Sequence, residues 1–144
     1  MALPAFPVHA AAALAAGGFL LVAVFQIALA LGVPWGRGAW GGVHGDVLPA
    51  RLRIASAVSA GVLVVAALVV LVRVGYLGNT AIPYGVFRWG TWTLVAAMTL
   101  SALANFASSS RWERFLGGPV ALLLALLCLV VALGEEPEVE VALA

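Results

Sequence analysis

The 144-residue chain has few charged residues and no lysine. Asp, Glu, Lys and Arg make up 9% of the sequence, whereas 65% is hydrophobic. Soluble domains carry about 25% charged residues, so this composition excludes a water-exposed surface and predicts an integral membrane protein. The length allows one domain, residues 1–144. The exclusive use of Arg, with the many Ala, Gly, Val and Leu residues, is typical of a GC-rich bacterial genome.

Several groups that support chemistry are also absent from the sequence. Cys128 is the only cysteine, which excludes a disulfide and a CxxC metal site. The sequence contains no GxSxG, HExxH or GxxxxGK[ST] motif. The apolar runs have no Asp, Glu, Lys or Arg at their centres, which argues against a proton-coupled pump. We therefore predict no catalytic residue, no cofactor and no metal site.

Four apolar runs are long enough to cross a bilayer core, which needs about 20 residues of helix. They cover residues 10–31, 54–72, 84–107 and 119–133, and leave an acidic tail, 134–144, that we expect to be solvated. No Lys or Arg precedes the first run, so we expect a retained span rather than a cleaved signal peptide. The predicted fold is all-α, a polytopic membrane protein built as a bundle of four transmembrane helices.

The arginines indicate the orientation in the membrane. Arg73 and Arg88 fall on the side of the termini, where we expect their side chains to reach water. The other five, in the first and third loops, are Arg37, Arg51, Arg53, Arg111 and Arg114. Positive charge concentrates in cytoplasmic loops, so we expect a multi-pass protein of the bacterial inner membrane with both termini outside. Arginines divided between two faces form no basic patch, so no nucleic-acid binding is expected.

The two loops on the predicted cytoplasmic side contain half of the sixteen glycines. The segment "GVPWGRGAWGGVHGDVLPARLR", residues 32–53, predicts a compact cap on the bundle, with a backbone anion nest as the alternative. In the third loop, Ser110 and Glu113 fit a helix capping box. The "GGP" at 117–119 predicts a break between a short interfacial helix, residues 111–116, and the fourth span. A single kinked helix is the alternative.

Uncharged polar residues gather in the cytoplasmic halves of three spans, next to the loop arginines. Together they define a candidate ligand-binding cluster: Gln26, Trp35, Trp40, His44, Arg51, Arg53, Ser56, Ser59, Ser101, Asn105, Arg111 and Arg114. The favoured interpretation is structural. Gln26 and Asn105 would bond each other or a backbone carbonyl, and the arginines would contact anionic headgroups. The alternative is a cavity, open to the cytoplasm, for an anionic or lipid-like ligand.

Three segments, "FQIALALGVPWGRGAWGG", "LPARLRIAS" and "NFASSSRWERFLGGPV", resemble small four-helix integral membrane proteins of bacteria that have no assigned function. The pattern is FQ, A-x-G-x-PWG, a glycine pair, LPxRLR and N-x-x-S-x-S-x-x-ER. Its residues here are Phe25, Gln26, Ala30, Gly32, Pro34, Trp35, Gly36, Gly41, Gly42, Leu48, Pro49, Arg51, Leu52, Arg53, Asn105, Ser108, Ser110, Glu113 and Arg114. The resemblance covers residues 10–134. It implies no activity, but it implies that the polar cluster at the inner face is the common feature.

These observations leave three hypotheses for the function. The first is a non-enzymatic scaffold or accessory subunit that binds membrane lipids or a partner membrane protein. The second is an oligomeric channel or facilitator for an uncharged or anionic solute, with the polar cluster as its mouth. The third is a lipid-acting enzyme that uses His44 or Asp46. Small residues such as Ala57 and Gly61 are predicted to pack helices closely, either within one chain or between copies of a homo-oligomer.

Overall fold

The computed structural model describes residues 5–78 and 81–134. It contains four long helices, α1 (Ala5–Leu31), α2 (Ala50–Arg73), α3 (Tyr84–Ala107) and α4 (Gly118–Ala132). A π-helical turn, Glu113–Gly117, leads directly into α4. Each helix, α4 taken with its π turn, is long and apolar enough to cross a membrane. The prediction of an all-α bundle of four membrane-spanning helices is therefore confirmed.

Two helices, α1 and α2, begin four or more residues earlier than their apolar runs. α1 begins at Ala5, five residues before the predicted start, and α2 begins at Ala50 instead of residue 54. The extended backbone of Pro49 precedes α2. Arg51 and Arg53 therefore lie in the first turns of a helix and not in the loop, because a helix can continue past the hydrocarbon core into the polar interface. The part of the predicted tail beyond residue 134 lies outside the described residues.

The predicted break at "GGP" is wrong, and the alternative of one helix is correct. The chain is helical without interruption from residue 111 to residue 132. Gly117 and Gly118 both have right-handed helical φ and ψ angles. The amide of Gly118 donates to the carbonyl of Glu113 in the wider π pattern. This turn accommodates Pro119, which has no amide hydrogen and would crowd the carbonyl four residues earlier in a regular α-helix.

The helices form two hairpins, α1 with α2 and α3 with α4. The hairpins pack together at the end of the bundle that carries Ala5 and Gly134, which we call the termini end. Their shared core there includes the fully buried Phe19, Val70 and Cys128. The opposite end, formed by residues 32–49 and 108–110, is the glycine-loop end.

Arg73 fastens the termini end, and the prediction that it reaches water is wrong. Its side chain is only 3% exposed. Nη1 donates to the hydroxyl of Tyr84, and Nη2 donates to the carbonyl of Gly134 at 3.1 Å. The guanidinium also lies 5.0 Å from the centroid of the Tyr84 ring. Because Tyr84 begins α3 and Gly134 follows α4, one side chain of α2 connects three helices.

Candidate functional site

A large cavity lies between the two hairpins toward the glycine-loop end. Its volume is about 1340 Å³, which exceeds the roughly 300–1,000 Å³ of ordinary small-molecule sites. Along the last helix its lining extends from Trp112 to Leu124, about 18 Å at 1.5 Å per residue. Half of a bilayer core is about 15 Å thick. The cavity is therefore about as deep as one leaflet.

The cavity is closed toward the termini end and open toward the sides of the bundle. Leu63 and Leu124 line its deep end. Leu124 belongs to the core in which Phe19 is fully buried, and Leu63 packs against that core. Its flanks are lined by exposed apolar side chains, Val24 of α1 and Val62 of α2, which are 64% and 61% exposed. A molecule in this cavity would thus contact the surroundings of the bundle laterally and would not pass through it.

Four uncharged polar side chains line the interior of the cavity: Gln26, Ser59, Ser101 and Asn105. The Asn105 amide donates to the carbonyl of Ser101 at 2.8 Å and approaches its hydroxyl at 3.4 Å. The Oε1 atom of Gln26 is buried and has no hydrogen-bond partner among the described residues. Asn105 therefore bonds a carbonyl, one of the two expected arrangements, while Gln26 and Asn105 do not bond each other.

Two tryptophans stand at the mouth of the cavity. The ring of Trp35 stacks on Phe25, with centroids 6.1 Å apart and planes 8° from parallel. The indole Nε1 of Trp40 donates to the hydroxyl of Ser56 at 3.1 Å. Trp40 has a φ of +53°, in the left-handed region that bulky residues rarely adopt. The hydrogen bond to the fully buried Ser56 fixes the position of the indole, which lines the cavity at its glycine-loop end. We attribute the strained backbone of Trp40 to this fixed position.

The glycine loop closes over the end of the bundle and is fastened to the other hairpin. The amide of Gly41 donates to both carboxylate oxygens of Glu113, at 3.0 and 3.2 Å. The Ser108 hydroxyl also donates to Glu113, and the Ser110 hydroxyl donates to the carbonyl of Arg37 at 2.8 Å. Only half of the predicted capping box forms. The Ser110 hydroxyl accepts from the Glu113 amide at 3.4 Å, whereas the Glu113 carboxylate binds the glycine loop.

The arginines of the candidate cluster are directed at the backbone or outward. Arg53 Nε donates to the carbonyl of Ala30 at 2.9 Å and so covers one of the unpaired carbonyls at the end of α1. Arg114 Nη2 donates to the carbonyl of Ser108 at 2.7 Å. The remaining two, Arg51 and Arg111, are exposed.

Half of the predicted cluster therefore lines the cavity, and half lies outside its lining. The candidates that line the cavity are Gln26, Trp35, Trp40, Ser59, Ser101 and Asn105. Those that lie outside its lining are His44, Arg51, Arg53, Ser56, Arg111 and Arg114. Four lining residues with polar side chains were not among the candidates, namely Arg37, Asp46, Trp112 and Glu113. Arg37 and Asp46 form an exposed ion pair, with Nε and Oδ1 2.7 Å apart.

Comparison of the chain with protein-family models, with curated proteins and with solved structures finds no match. In residues 5–78 and 81–134, no group of three or more His, Cys, Asp and Glu side chains is arranged to hold a metal ion. Any assignment of function therefore depends on the cavity itself.

Proposed function

We propose that this protein is a non-enzymatic, multi-pass membrane protein that binds a lipid in the cavity between its hairpins. The observation that carries the proposal is the shape of the cavity, which is mostly apolar, about as deep as one leaflet and open at the side of the bundle. The arginines near the glycine-loop end favour an orientation in which this end faces the bacterial cytoplasm.

The cavity walls match an acyl chain better than a water-soluble ligand. Below the mouth they are mostly aliphatic, with side chains such as Val22, Leu63, Met98 and Val120. An unfilled apolar space of this size would forfeit many dispersion contacts. The open sides of the cavity face the acyl chains of the surrounding bilayer, so a chain can enter from the membrane without crossing water. The closed end supports binding over conduction, because a pore through one chain needs an opening on both faces.

Lipid retention in the purified protein tests this proposal. The Ala104→Trp variant places an indole in the cavity, because Ala104 lines it and is itself exposed. Ala96→Trp is the matched control, since Ala96 is an exposed residue of α3 that does not line the cavity. Each protein is released from a mild detergent and weighed by native mass spectrometry. We expect one stoichiometric lipid on the parent and on Ala96→Trp, and much less on Ala104→Trp.

Two results would contradict lipid binding. One is a parent protein that carries no lipid after mild release. The other is an Ala104→Trp variant that retains as much lipid as Ala96→Trp. A lipid-free dimer of the parent that the Ala104→Trp change dissociates would instead point to a second copy of the chain in the space between the hairpins.

A further inference from the structure

The charged groups that line the cavity do not suit an anionic headgroup. They are Arg37, Asp46 and Glu113, one cation and two anions. Arg37 already pairs with Asp46 at 2.7 Å. Glu113 accepts hydrogen bonds from Gly41 and Ser108, which leaves its negative charge without a cationic partner among the lining residues that the structure describes. An anionic headgroup drawn into the cavity would meet a like charge, which is unfavourable in a medium of low dielectric constant.

The nearby cations that would attract a phosphate are used elsewhere. Arg53 and Arg114 donate to the carbonyls of Ala30 and Ser108, and neither lines the cavity. The exposed Arg51 and Arg111 also lie outside the lining. These side chains can contact the headgroups of surrounding lipids, but they are not placed to hold a headgroup inside.

The interior of the cavity instead offers neutral hydrogen-bonding groups. Gln26 lies five residues before the end of α1 at Leu31, about 7.5 Å along the helix. Its buried Oε1 has no partner among the described residues, and an unpaired buried polar atom is unfavourable. Ser59 and Ser101 add hydroxyls to the same lining. A ligand with a hydrogen-bonding group at this depth would give the Oε1 atom of Gln26 a partner.

A hydroxyl is the group that fits Gln26 in either placement of its amide. The oxygen and nitrogen of a Gln side chain are interchangeable in assignment. A hydroxyl donates one hydrogen bond and accepts two, so it can pair with whichever amide atom faces it. A hydroxyl is also small enough to lie beneath the glycine loop, which is held over this end of the bundle by the Gly41–Glu113 contact.

We infer that the cavity takes an uncharged lipid with a free hydroxyl group in preference to an anionic phospholipid. This inference rests on the proposed lipid binding and specifies its chemistry. The apolar chain or chains lie against the aliphatic walls, and the hydroxyl reaches Gln26. A diacylglycerol and a long-chain alcohol both present this chemistry.

Competition among three probes tests the inference. The detergent-solubilised full chain is titrated with dioleoylglycerol, with oleyl alcohol and with dioleoylphosphatidylethanol, an anionic lipid that has the same acyl chains as the first and no free hydroxyl. We expect dioleoylglycerol or oleyl alcohol to bind about fivefold to tenfold more tightly than the anionic lipid, the range that one hydrogen bond supplies. The tighter of the two neutral probes identifies the source of the hydroxyl.

The Gln26→Leu variant should lose most of this preference, because it removes the amide and keeps an apolar side chain of similar size. Its affinity for the anionic lipid should not change. Thr99→Val is the control, since it removes a hydroxyl from an exposed residue of α3 outside the cavity. Ser59→Ala serves as a second variant if Gln26→Leu does not fold, and it should narrow the same preference.

The outcomes separate the inference from the proposed function. Equal or tighter binding of dioleoylphosphatidylethanol would overturn the inference and leave lipid binding in place. A preference that survives both Gln26→Leu and Ser59→Ala would also overturn it. If none of the three probes binds, both the inference and the proposed function are wrong.

Discussion

Glu113 holds the glycine loop against the second hairpin, so its charge should contribute measurably to stability. Its two carboxylate oxygens accept from the amide of Gly41 at 3.0 and 3.2 Å, and one of them also accepts from the Ser108 hydroxyl. The Glu113→Gln change keeps the shape of the side chain but turns one acceptor into a donor. In one orientation of the new amide the Ser108 hydroxyl loses its acceptor, and in the other the amide nitrogen faces the Gly41 N–H, so that two donors oppose each other.

The expected loss follows from the type of hydrogen bond. A bond to a charged group contributes about 1.5–3 kcal/mol, and a bond between neutral groups contributes about 0.5–1.5 kcal/mol. Replacing a carboxylate that serves two donors with an amide should therefore lower the free energy of unfolding by about 2 kcal/mol. Asp46→Asn is the matched control, because it also removes one carboxylate charge. Its ion pair with Arg37 is exposed, and such pairs contribute about 0–1 kcal/mol.

Unfolding in mixed micelles measures both effects. The parent and the two variants are titrated with sodium dodecyl sulfate, and the folded fraction is followed by circular dichroism and by tryptophan fluorescence. We expect Glu113→Gln to unfold at a clearly lower detergent fraction than Asp46→Asn. If the two variants unfold together, the carboxylate of Glu113 does not fasten the loop, and the contact with Gly41 has no energetic weight.

Two further substitutions test the loop and the termini end. Gly36→Ala should lower the melting temperature, because a Cβ there would lie 2.6 and 2.8 Å from two backbone carbonyl oxygens of the same loop. Gly38→Ala should leave the melting temperature nearly unchanged, because its Cβ would meet nothing closer than 3.8 Å. Arg73→Ala should lower the melting temperature more than Tyr84→Phe, because it removes the guanidinium that also donates to the carbonyl of Gly134. Equal melting of either pair of variants would contradict the corresponding contact.

Hydropathy predicted the four helices because a membrane-spanning segment must be both apolar and long. It placed α3 at residues 84–107, where the structure has Tyr84–Ala107. It missed the first turn of α2 because Arg51 and Arg53 are polar, although the first turn of a helix can lie in the interface. The Gly-Gly-Pro pattern was also misleading at Gly117. That glycine permits close packing and not a turn, since a Cβ there would lie 2.5 Å from Oδ1 of Asn105.

The cavity could be predicted only in part, because a sequence indicates how deep a residue lies but not which way it points. Ser56 and Ser59 are one turn apart, yet the first is fully buried against Trp40 and the second lines the cavity. Which face of α2 borders the cavity depends on where the hairpins diverge, and no local pattern encodes that. The direction of the Arg53 side chain was equally unpredictable. Its sequence position suits contact with a lipid headgroup as well as the carbonyl of Ala30 that it binds.

Polar links join the hairpins at both ends of the bundle, and at the termini end they act together with the packed core that contains Phe19. At the termini end, Arg73 joins α2 to Tyr84 and Gly134. At the glycine-loop end, Glu113 holds Gly41. In a bilayer, closing an apolar gap gains little, because a lipid tail offers the helices the same dispersion contacts that another helix would. Moving the hairpins together along their length would disturb the contacts of Arg73 and Glu113 and would gain few dispersion contacts in return. If the proposed function is correct, an amphipathic molecule fills the space between the hairpins and supplies the dispersion contacts that the helices do not make with each other.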